Sequence, residues 1–210
     1  MEQTINYRGY DIEISRDEYP ENPIKEWDML GKFICFHRRY DLGNCSDFKT
    51  PDEVIAYAKK NRAILFNLYM YEHSGIVLSL SNSSYPFNDR WDSGQVGFVM
   101  VERDKALKEY EYKILCKSLL NKIRKIVEGE VKTYNLYLAG EVYNYYISKN
   151  GEFVDSAGGY FCDDEDELIG EVKSIVDSEV KQDIKNHTKQ VKKWIVNKVP
   201  FINRTPLCVG

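Results

Sequence analysis

The sequence predicts an α+β protein with a largely antiparallel sheet, covering helices and a long C-terminal helix. Short apolar runs between turn signals indicate strands, and apolar residues at helical spacing indicate helices after residue 106 and after residue 163. The chain has 210 residues, 43% hydrophobic and 30% charged, which suits one domain with an appendage. We therefore expect an α+β globular domain over residues 1–162 and a helical arm and tail over residues 163–210.

The N-terminal elements are predicted from alternation and from turn residues. Alternating apolar residues on the far side of an Arg8-Gly9 turn indicate a hairpin over residues 4–15. Two prolines make residues 19–23 a loop, because proline blocks regular structure and extends the residue before it. Residues 32–38 are rich in β-forming side chains, so we expect a strand there.

A capped helix is expected after an irregular stretch. Thr50 suits the N-cap, Pro51 the first helical position, and Glu53 closes a capping box. The helix should continue to about residue 61. Its buried face is predicted to consist of Val54, Ile55 and Ala58.

The middle of the chain alternates between predicted strands and one long helical region. We expect strands over residues 64–71 and 76–81 and, after a polar loop, over residues 95–102. Residues 106–139 are predicted to be mostly helical, with Gly129 as the position of a kink. A strand over 142–148 and a turn over 149–152 follow, leading into Phe153 and Val154, and residues 155–161 are predicted to form a glycine-rich bend.

The tail is predicted to be a single helix from residue 163 to about residue 199, roughly 50 Å long at 1.5 Å per residue. Residues 163–183 carry a net charge of −7, and residues 184–204 carry +6 with no acid. This division matches the helix macrodipole, which is a structural explanation. The alternative is a partner helix that pairs antiparallel with a second copy or presents its basic end to an acidic surface. The residues predicted to contact a partner through this helix are Lys189, Lys192, Lys193 and Trp194.

The composition points to a cytoplasmic protein without a membrane segment. The N-terminus shows neither a basic region nor an apolar run of the kind that signal peptides have, and no segment is apolar enough to span a bilayer. Five scattered cysteines form no CxxC pair. A formal charge of −4 argues against a protein that coats nucleic acid. Three scattered histidines without an HExxH motif predict neither a metal site nor a cofactor.

Two groups of residues have the chemistry of a binding or catalytic site. The arginines of the first group could hold a phosphate or carboxylate, and alternation along the strand puts Cys35 on the same face as His37. The plain alternative is a set of solvated charges at a strand end with an inert core cysteine. The first group consists of His37, Arg38, Arg39 and Tyr40.

The second group lies in the connections around the central strands. An exposed Trp beside Asp, Ser and Gln could line a polar pocket, but the same residues also suit a turn. Asp92 and Ser93 before Gly94 favour an Asx turn, and Gly97 indicates a close backbone approach within the following strand. The second group consists of Glu72, His73, Trp91, Asp92, Ser93 and Gln95.

A series of motifs runs along the chain in a fixed order. Its segments are Asn22-Pro23, Trp27-Asp28, Leu30-Gly31, Phe36-His37-Arg38-Arg39-Tyr40, Leu42-Gly43, Tyr71-Glu72-His73-Ser74-Gly75-Ile76, Trp91-Asp92-Ser93-Gly94-Gln95-Val96-Gly97, Glu128-Gly129-Glu130-Val131, Tyr134, Tyr137-Leu138, Gly140-Glu141-Val142-Tyr143, Asp155-Ser156 and Gly159-Tyr160-Phe161. This series resembles a widespread family of small, largely uncharacterised proteins encoded by bacteriophages and related mobile elements. The resemblance spans about residues 18–163 and departs from the family near Ala157, where a tryptophan is usual.

The resemblance implies a phage accessory protein, and by analogy one that neutralises a host defence such as a CRISPR effector or a restriction enzyme. We therefore expect a non-enzymatic protein that binds a defence protein or ribonucleoprotein complex through an aromatic and charged surface. The 16 tyrosines are consistent with such a surface, because tyrosine is enriched at interface hot spots.

Two alternatives remain open on the sequence. An enzyme acting on a nucleotide or nucleic acid would need the two groups of residues to converge in one cleft, with arginines holding phosphate and a histidine as acid or base. Direct nucleic-acid binding through residues 184–204 is the less favoured option and would depend steeply on salt. A homodimer through the C-terminal helix is compatible with any of these functions.

Overall fold

The structure is a computed structural model that describes residues 3–81 and 84–200. It confirms the α+β class, with two antiparallel sheets and a long C-terminal helix. The strands are β1 (Gln3–Tyr7), β2 (Tyr10–Arg16), β3 (Lys32–Cys35), β4 (Ile64–Glu72), β5 (Ile76–Leu80), β6 (Ser93–Val101), β7 (Val142–Lys149) and β8 (Glu152–Phe161). The helices are α1 (Pro23–Glu26), α2 (Pro51–Asn61), α3 (Arg103–Glu109), α4 (Lys117–Ala139) and α5 (Glu165–Lys198).

The chain divides into two compact units that do not follow chain order. One, called here the terminal unit, combines residues 1–15, residues 144–157 and the chain from residue 164 onward. The other, the central unit, combines residues 16–143 and 158–163. The domain boundary after residue 162 that the sequence suggests stays a prediction.

The terminal unit is built on the sheet with strand order β1-β2-β7-β8. Both of its hairpin turns use left-handed backbone, Arg8-Gly9 between β1 and β2 and Asn150-Gly151 between β7 and β8. Two consecutive residues with positive φ match the twist of paired strands, so both predicted turns are confirmed. The buried residues alternate along the strands and form one stripe on the first half of α5: Tyr10, Ile12, Ile14, Tyr145, Ile147, Leu168, Ile169, Val172 and Val176.

Hydrogen bonds tie α5 to the first hairpin within the terminal unit. Asp177 accepts from the Tyr7 hydroxyl at 3.1 Å and pairs with Arg8. Asp183 accepts from Lys149 Nζ at 2.9 Å and from the Tyr10 hydroxyl at 3.2 Å. The Lys149 ammonium and the Tyr10 hydroxyl lower the pKa of Asp183, because both stabilise its charged form. These contacts end at Asp183, about halfway along the helix.

The central unit is built on the sheet with strand order β3-β6-β4-β5. The middle strand β6 is apolar on both faces, as expected for a strand covered on two sides. Val99 and Val101 face a core that includes α4, where the Phe33 and Tyr134 rings meet edge to face at 5.8 Å. On the opposite face, a smaller cluster joins the sheet to α2 through Ile34, Val54, Ala58, Phe98 and Met100.

The bounds and the N-cap of helix α2 match the prediction, but the predicted burial of Ile55 is wrong. Thr50 caps the helix by accepting from the Glu53 N–H, and Pro51 takes the first position. Val54 and Ala58 are buried, whereas Ile55 is half exposed because it lies off the narrow stripe that meets the sheet. Since α2 touches the sheet along one line only, two buried positions are enough.

Three predicted boundaries need correction. The region 106–139 is two helices, broken at Tyr110–Cys116 and not at Gly129, which lies within a continuous α4. The strand β3 ends at Cys35 and not at Arg38. The predicted bend over residues 155–161 is instead part of strand β8, with Gly159 at positive φ.

None of the helices in the described part of the chain combines the length and the hydropathy that crossing a bilayer would require.

Candidate functional site

A surface cleft of about 620 Å³ lies in the central unit, at the end of the sheet where β4 stops and β6 starts. Its walls come from three segments that are far apart in sequence: the loop after β3, the end of β4 with the β4–β5 turn, and the residues that lead into β6. The lining residues are His37, Arg39, Met70, Glu72, His73, Ser74, Trp91, Asp92, Ser93, Gly94, Gln95 and Val96.

A β-bulge shapes the floor of the cleft. The pairing of β4 with β6 shifts between Leu68, which faces Gly97, and Tyr69, which faces Gln95, so Val96 is the extra residue. The carbonyl of Val96 accepts instead from the Phe36 N–H at 2.8 Å. A bulge bends its strand and redirects the side chains beyond it, and here those side chains are the ones that enter the cleft.

Gly97 lets β3 and β6 approach closely just below the bulge. A Cβ at this position would lie 1.9 Å from the carbonyl oxygen of Ile34 and 3.1 Å from the Cα of Cys35. The predicted close approach at Gly97 is therefore confirmed.

Glu72 is the most highly bonded group in the cleft. Its Oε1 accepts from the Tyr40 hydroxyl at 2.7 Å and from Arg39 Nη1 at 2.8 Å. The Tyr40 hydroxyl, followed by the charge of Arg39, holds the pKa of Glu72 below its usual range. The carboxylate is thus kept ionised and already paired, which makes it a poor proton donor at neutral pH.

His37 is fixed in one tautomer by its own loop. Its Nδ1 accepts from the N–H groups of Arg39 at 3.4 Å and Tyr40 at 3.2 Å, and its ring stacks on that of Tyr40 at 5.2 Å. With Nδ1 used as an acceptor, the proton of the neutral ring is on Nε2. Nε2 can donate to a ligand but cannot take a proton from one while this arrangement holds.

His73 lies beside a carboxylate. Its Nδ1 is 3.4 Å from Oδ2 of Asp92, which is within ion-pair distance, and both side chains are exposed. The backbone holds the two residues together, because the Glu72 N–H donates to the Asp92 carbonyl at 2.8 Å. In the tautomer of His73 that carries its proton on Nδ1, Nε2 is an acceptor, as a general base requires.

Trp91 stands at the mouth of the cleft with 96% of its surface exposed. The Asx turn predicted around Asp92 and Ser93 is instead made by Asp89, whose Oδ1 accepts from the Trp91 N–H at 2.8 Å. The hydroxyl of Ser93 is hydrogen bonded to that of Tyr85 at 2.7 Å and donates to the Asp89 carbonyl. Hydrogen bonds to the Trp91 backbone and to Ser93 thus fix the loop, while the Trp91 side chain stays exposed.

The structure brings most of the predicted site residues to one place. Of the first group, His37 and Arg39 line the cleft, Tyr40 contacts it through Glu72, and Arg38 is exposed outside its lining. All six residues of the second group line the cleft. The predicted partner-helix residues lie on α5 in the terminal unit, where all four are exposed: Lys189, Lys192, Lys193 and Trp194.

Sequence reasoning missed the neighbours that position these groups. Tyr85 and Asp89 hold the Trp91 loop, and the ring of Tyr71 packs on that of His73, with centroids 6.1 Å apart. Of these three residues, only Tyr71 could have been predicted from the sequence. It lies two residues before His73 at the end of a predicted strand, and such residues share one face of a strand.

The predicted pairing of Cys35 with His37 on one strand face is wrong, because β3 ends at Cys35. The His37 N–H points at Cys35 Sγ at 3.4 Å, and burial raises the pKa of the Cys35 thiol. A partly buried thiol with a raised pKa is a weak nucleophile, and Cys35 packs against the edge of the core. Among residues 3–81 and 84–200, no three His, Cys, Asp or Glu side chains come together in a way that could hold a metal ion.

Comparison of the chain with protein families, with curated proteins and with solved structures finds no match. The geometry of the cleft is therefore the basis for the functional argument that follows.

Proposed function

We propose that the protein is a phage or mobile-element accessory protein that binds a bacterial defence protein or complex through the mouth of the cleft and inhibits it. The observation that carries this proposal is Trp91. Large aromatic side chains are the commonest interface hot spots, and an indole this exposed gains most when a partner covers it. The class of partner comes from the resemblance to phage proteins.

The charged groups around Trp91 are better suited to binding a partner than to acid–base catalysis. Glu72 is already bonded to Arg39 and Tyr40, and His37 uses Nδ1 on its own backbone. Groups paired in this way form a rigid polar rim, which fixes the orientation of a partner at low entropic cost. The atoms of Glu72 and His37 that could exchange a proton with a substrate are thus already hydrogen bonded within the protein.

Replacement of Trp91 by alanine should weaken this binding at least about 30-fold in Kd, because loss of an interface hot spot costs about 2 kcal/mol or more. The experiment is co-purification of tagged protein from bacteria that carry active defence systems, followed by titration of the captured component and by plating of a phage that the system restricts. Tyr19→Ala is the matched control, since Tyr19 is 88% exposed in the same unit and outside the cleft lining.

The proposal requires that a defence component binds the wild type and Tyr19→Ala equally and loses affinity for Trp91→Ala. Equal capture by all three forms would place the interface elsewhere. A failure of the wild type to protect the phage, with the partner bound, would remove the inhibitory function.

A second function, hydrolysis of a nucleotide, is favoured by one observation. His73 Nδ1 and Asp92 Oδ2 lie 3.4 Å apart, within ion-pair distance, and Arg39 lines the same cleft. In this function His73 Nε2 would take a proton from a water molecule while Arg39 binds a phosphate.

If nucleotide hydrolysis is the function, His73→Asn should lower the rate of phosphate release at least about 100-fold, which is the usual contribution of a general base. Release is followed by phosphorus NMR on nucleoside mono-, di- and triphosphates. His187→Asn on α5 is the matched control, because it makes the same change at an exposed histidine of the terminal unit. No turnover by the wild type, or equal loss in both variants, would exclude this function.

A further inference from the structure

Most of the second half of α5 is exposed to solvent. Every residue from Lys181 to Trp194 is exposed, whereas the first half of the same helix buries Leu168, Ile169, Val172 and Val176. A helix that rests on its own sheet always hides one face, so four exposed turns indicate a segment that is available to another molecule. It includes Ile184 and Trp194, which are 61% and 60% exposed.

Five lysines line one side of this segment. Lys181, Lys185, Lys189 and Lys193 recur every fourth residue, and Lys192 lies among them. Because an α-helix turns 100° and rises 1.5 Å per residue, these side chains fall within about a third of the circumference and are spaced about 6 Å apart along the axis. No acidic residue occurs from residue 184 to residue 198.

Among the described residues, none of these five lysines takes part in an ion pair. Asp183 and Asp177 of the same helix pair with Lys149 and Arg8 instead. The segment therefore exposes a series of lysines whose charge suits binding to a polyanion.

A second copy of the chain is a poor polyanion for this segment. Two copies of residues 184–198 placed side by side, in either direction, would oppose lysine with lysine because the segment holds no acid. The first half of α5 in an antiparallel copy could offer exposed carboxylates but no apolar seam, since its apolar stripe is buried in its own unit. Such a pair would be held by solvent-exposed ion pairs alone, which contribute little each.

We propose that the basic half of α5, residues 181–198, binds duplex DNA through its phosphates. A helix about 10–12 Å across fits a major groove about 12 Å wide, and a segment exposed on all sides can enter it. Phosphates on both walls of the groove then meet a regular series of ammonium groups. The acidic composition of the whole chain does not oppose this, because exposed charges more than about 8 Å apart are largely screened at physiological salt.

The test is fluorescence anisotropy of a labelled DNA duplex of about 30 base pairs, roughly three helical turns, titrated with the full-length chain at several salt concentrations. Five phosphate contacts predict a slope of about −4.5 for log K against log salt, or roughly 500-fold weaker binding when salt rises from about 50 to about 200 mM. The titration contains no defence component, so its outcome is independent of the proposed function.

The deciding variant is Lys189→Gln/Lys192→Gln, which should make the slope less steep by about 1.8 because two phosphate contacts are lost. Lys59→Gln/Lys60→Gln is the matched control, with the same charge change at two exposed lysines of α2. Circular dichroism at 222 nm shows whether helix content is kept in both.

Three results would overturn the proposal. One is the absence of duplex binding by the wild type at about 50 mM salt, where phosphate contacts are strongest. Another is an equal change of slope in the two double variants, which would indicate general charge attraction. The third is tighter binding of a single-stranded oligonucleotide or of poly-glutamate than of the duplex at the same salt, which would assign the segment to a different polyanion.

Discussion

Replacing Gly97 by alanine is expected to lower the free energy of unfolding by about 3 kcal/mol or more. The new Cβ would lie 1.9 Å from the Ile34 carbonyl oxygen and 2.9 Å from its carbonyl carbon. Both atoms belong to the backbone, so no rotamer change can relieve the clash. The strands β3 and β6 would have to separate where they pair Cys35 with Gly97.

The measurement is thermal or urea unfolding, where a loss of this size lowers Tm by roughly 6–12 °C in a protein of this length. Gly94→Ala is the matched control, because Gly94 lies in the same strand, a Cβ there would meet no atom within 4 Å, and its φ is not positive. It should stay within about 0.5 kcal/mol of the wild type. A Gly97→Ala protein as stable as Gly94→Ala would show that the two strands are not held at this distance.

Replacing Glu130 by alanine is expected to cost about 2–5 kcal/mol, because it leaves two backbone donors without an acceptor. Glu130 projects from α4 and accepts from the N–H of Leu30 at 2.5 Å and from the N–H of Gly31 at 3.0 Å. Gly31 permits this approach, since a Cβ there would lie 2.9 Å from Glu130 Oε2. One carboxylate thus anchors the start of β3 to the helix that covers the sheet.

Glu128→Ala is the matched control, since Glu128 is exposed on the same helix and should change stability by less than about 0.5 kcal/mol. The pH dependence gives a second readout. Burial raises the pKa of Glu130, so the stability it contributes is fully present below its unfolded pKa of about 4.3 and decreases as pH rises through the folded pKa.

The loss caused by Glu130→Ala, measured by urea unfolding, should therefore be larger at about pH 5 than at about pH 8. A loss that matched Glu128→Ala at both pH values would contradict the anchoring role.

Local signals predicted the elements whose ends are set by local chemistry. The capped start of α2 at Thr50 and the turn at Arg8-Gly9 depend on residues within a few positions of each other, and both are confirmed. The break between α3 and α4 depends on Glu111 in left-handed backbone. Neither glycine nor proline marks that position, so the helical pattern of the sequence continues across it.

The candidate site was predictable as a set of residues but not as a geometry. The two groups could be chosen because their side chains are polar or aromatic next to predicted strands. Their convergence depends on the pairing of β4 with β6 and on the bulge at Val96, which no local pattern records. The same holds for Glu130, whose partners are about 100 residues away in the chain.

The strand order of the terminal unit has a consequence for synthesis on the ribosome. Strand β2 lies between β1 and β7 in the sheet. The free edge of the β1–β2 hairpin therefore cannot pair until residues 142–149, which form β7, have been made. At about 5–20 residues per second, that interval is roughly 7–26 s. A lone hairpin is marginally stable in water, so it should remain largely unpaired during this time. Strand β2 is therefore expected to gain its second partner strand well after its own residues have been made.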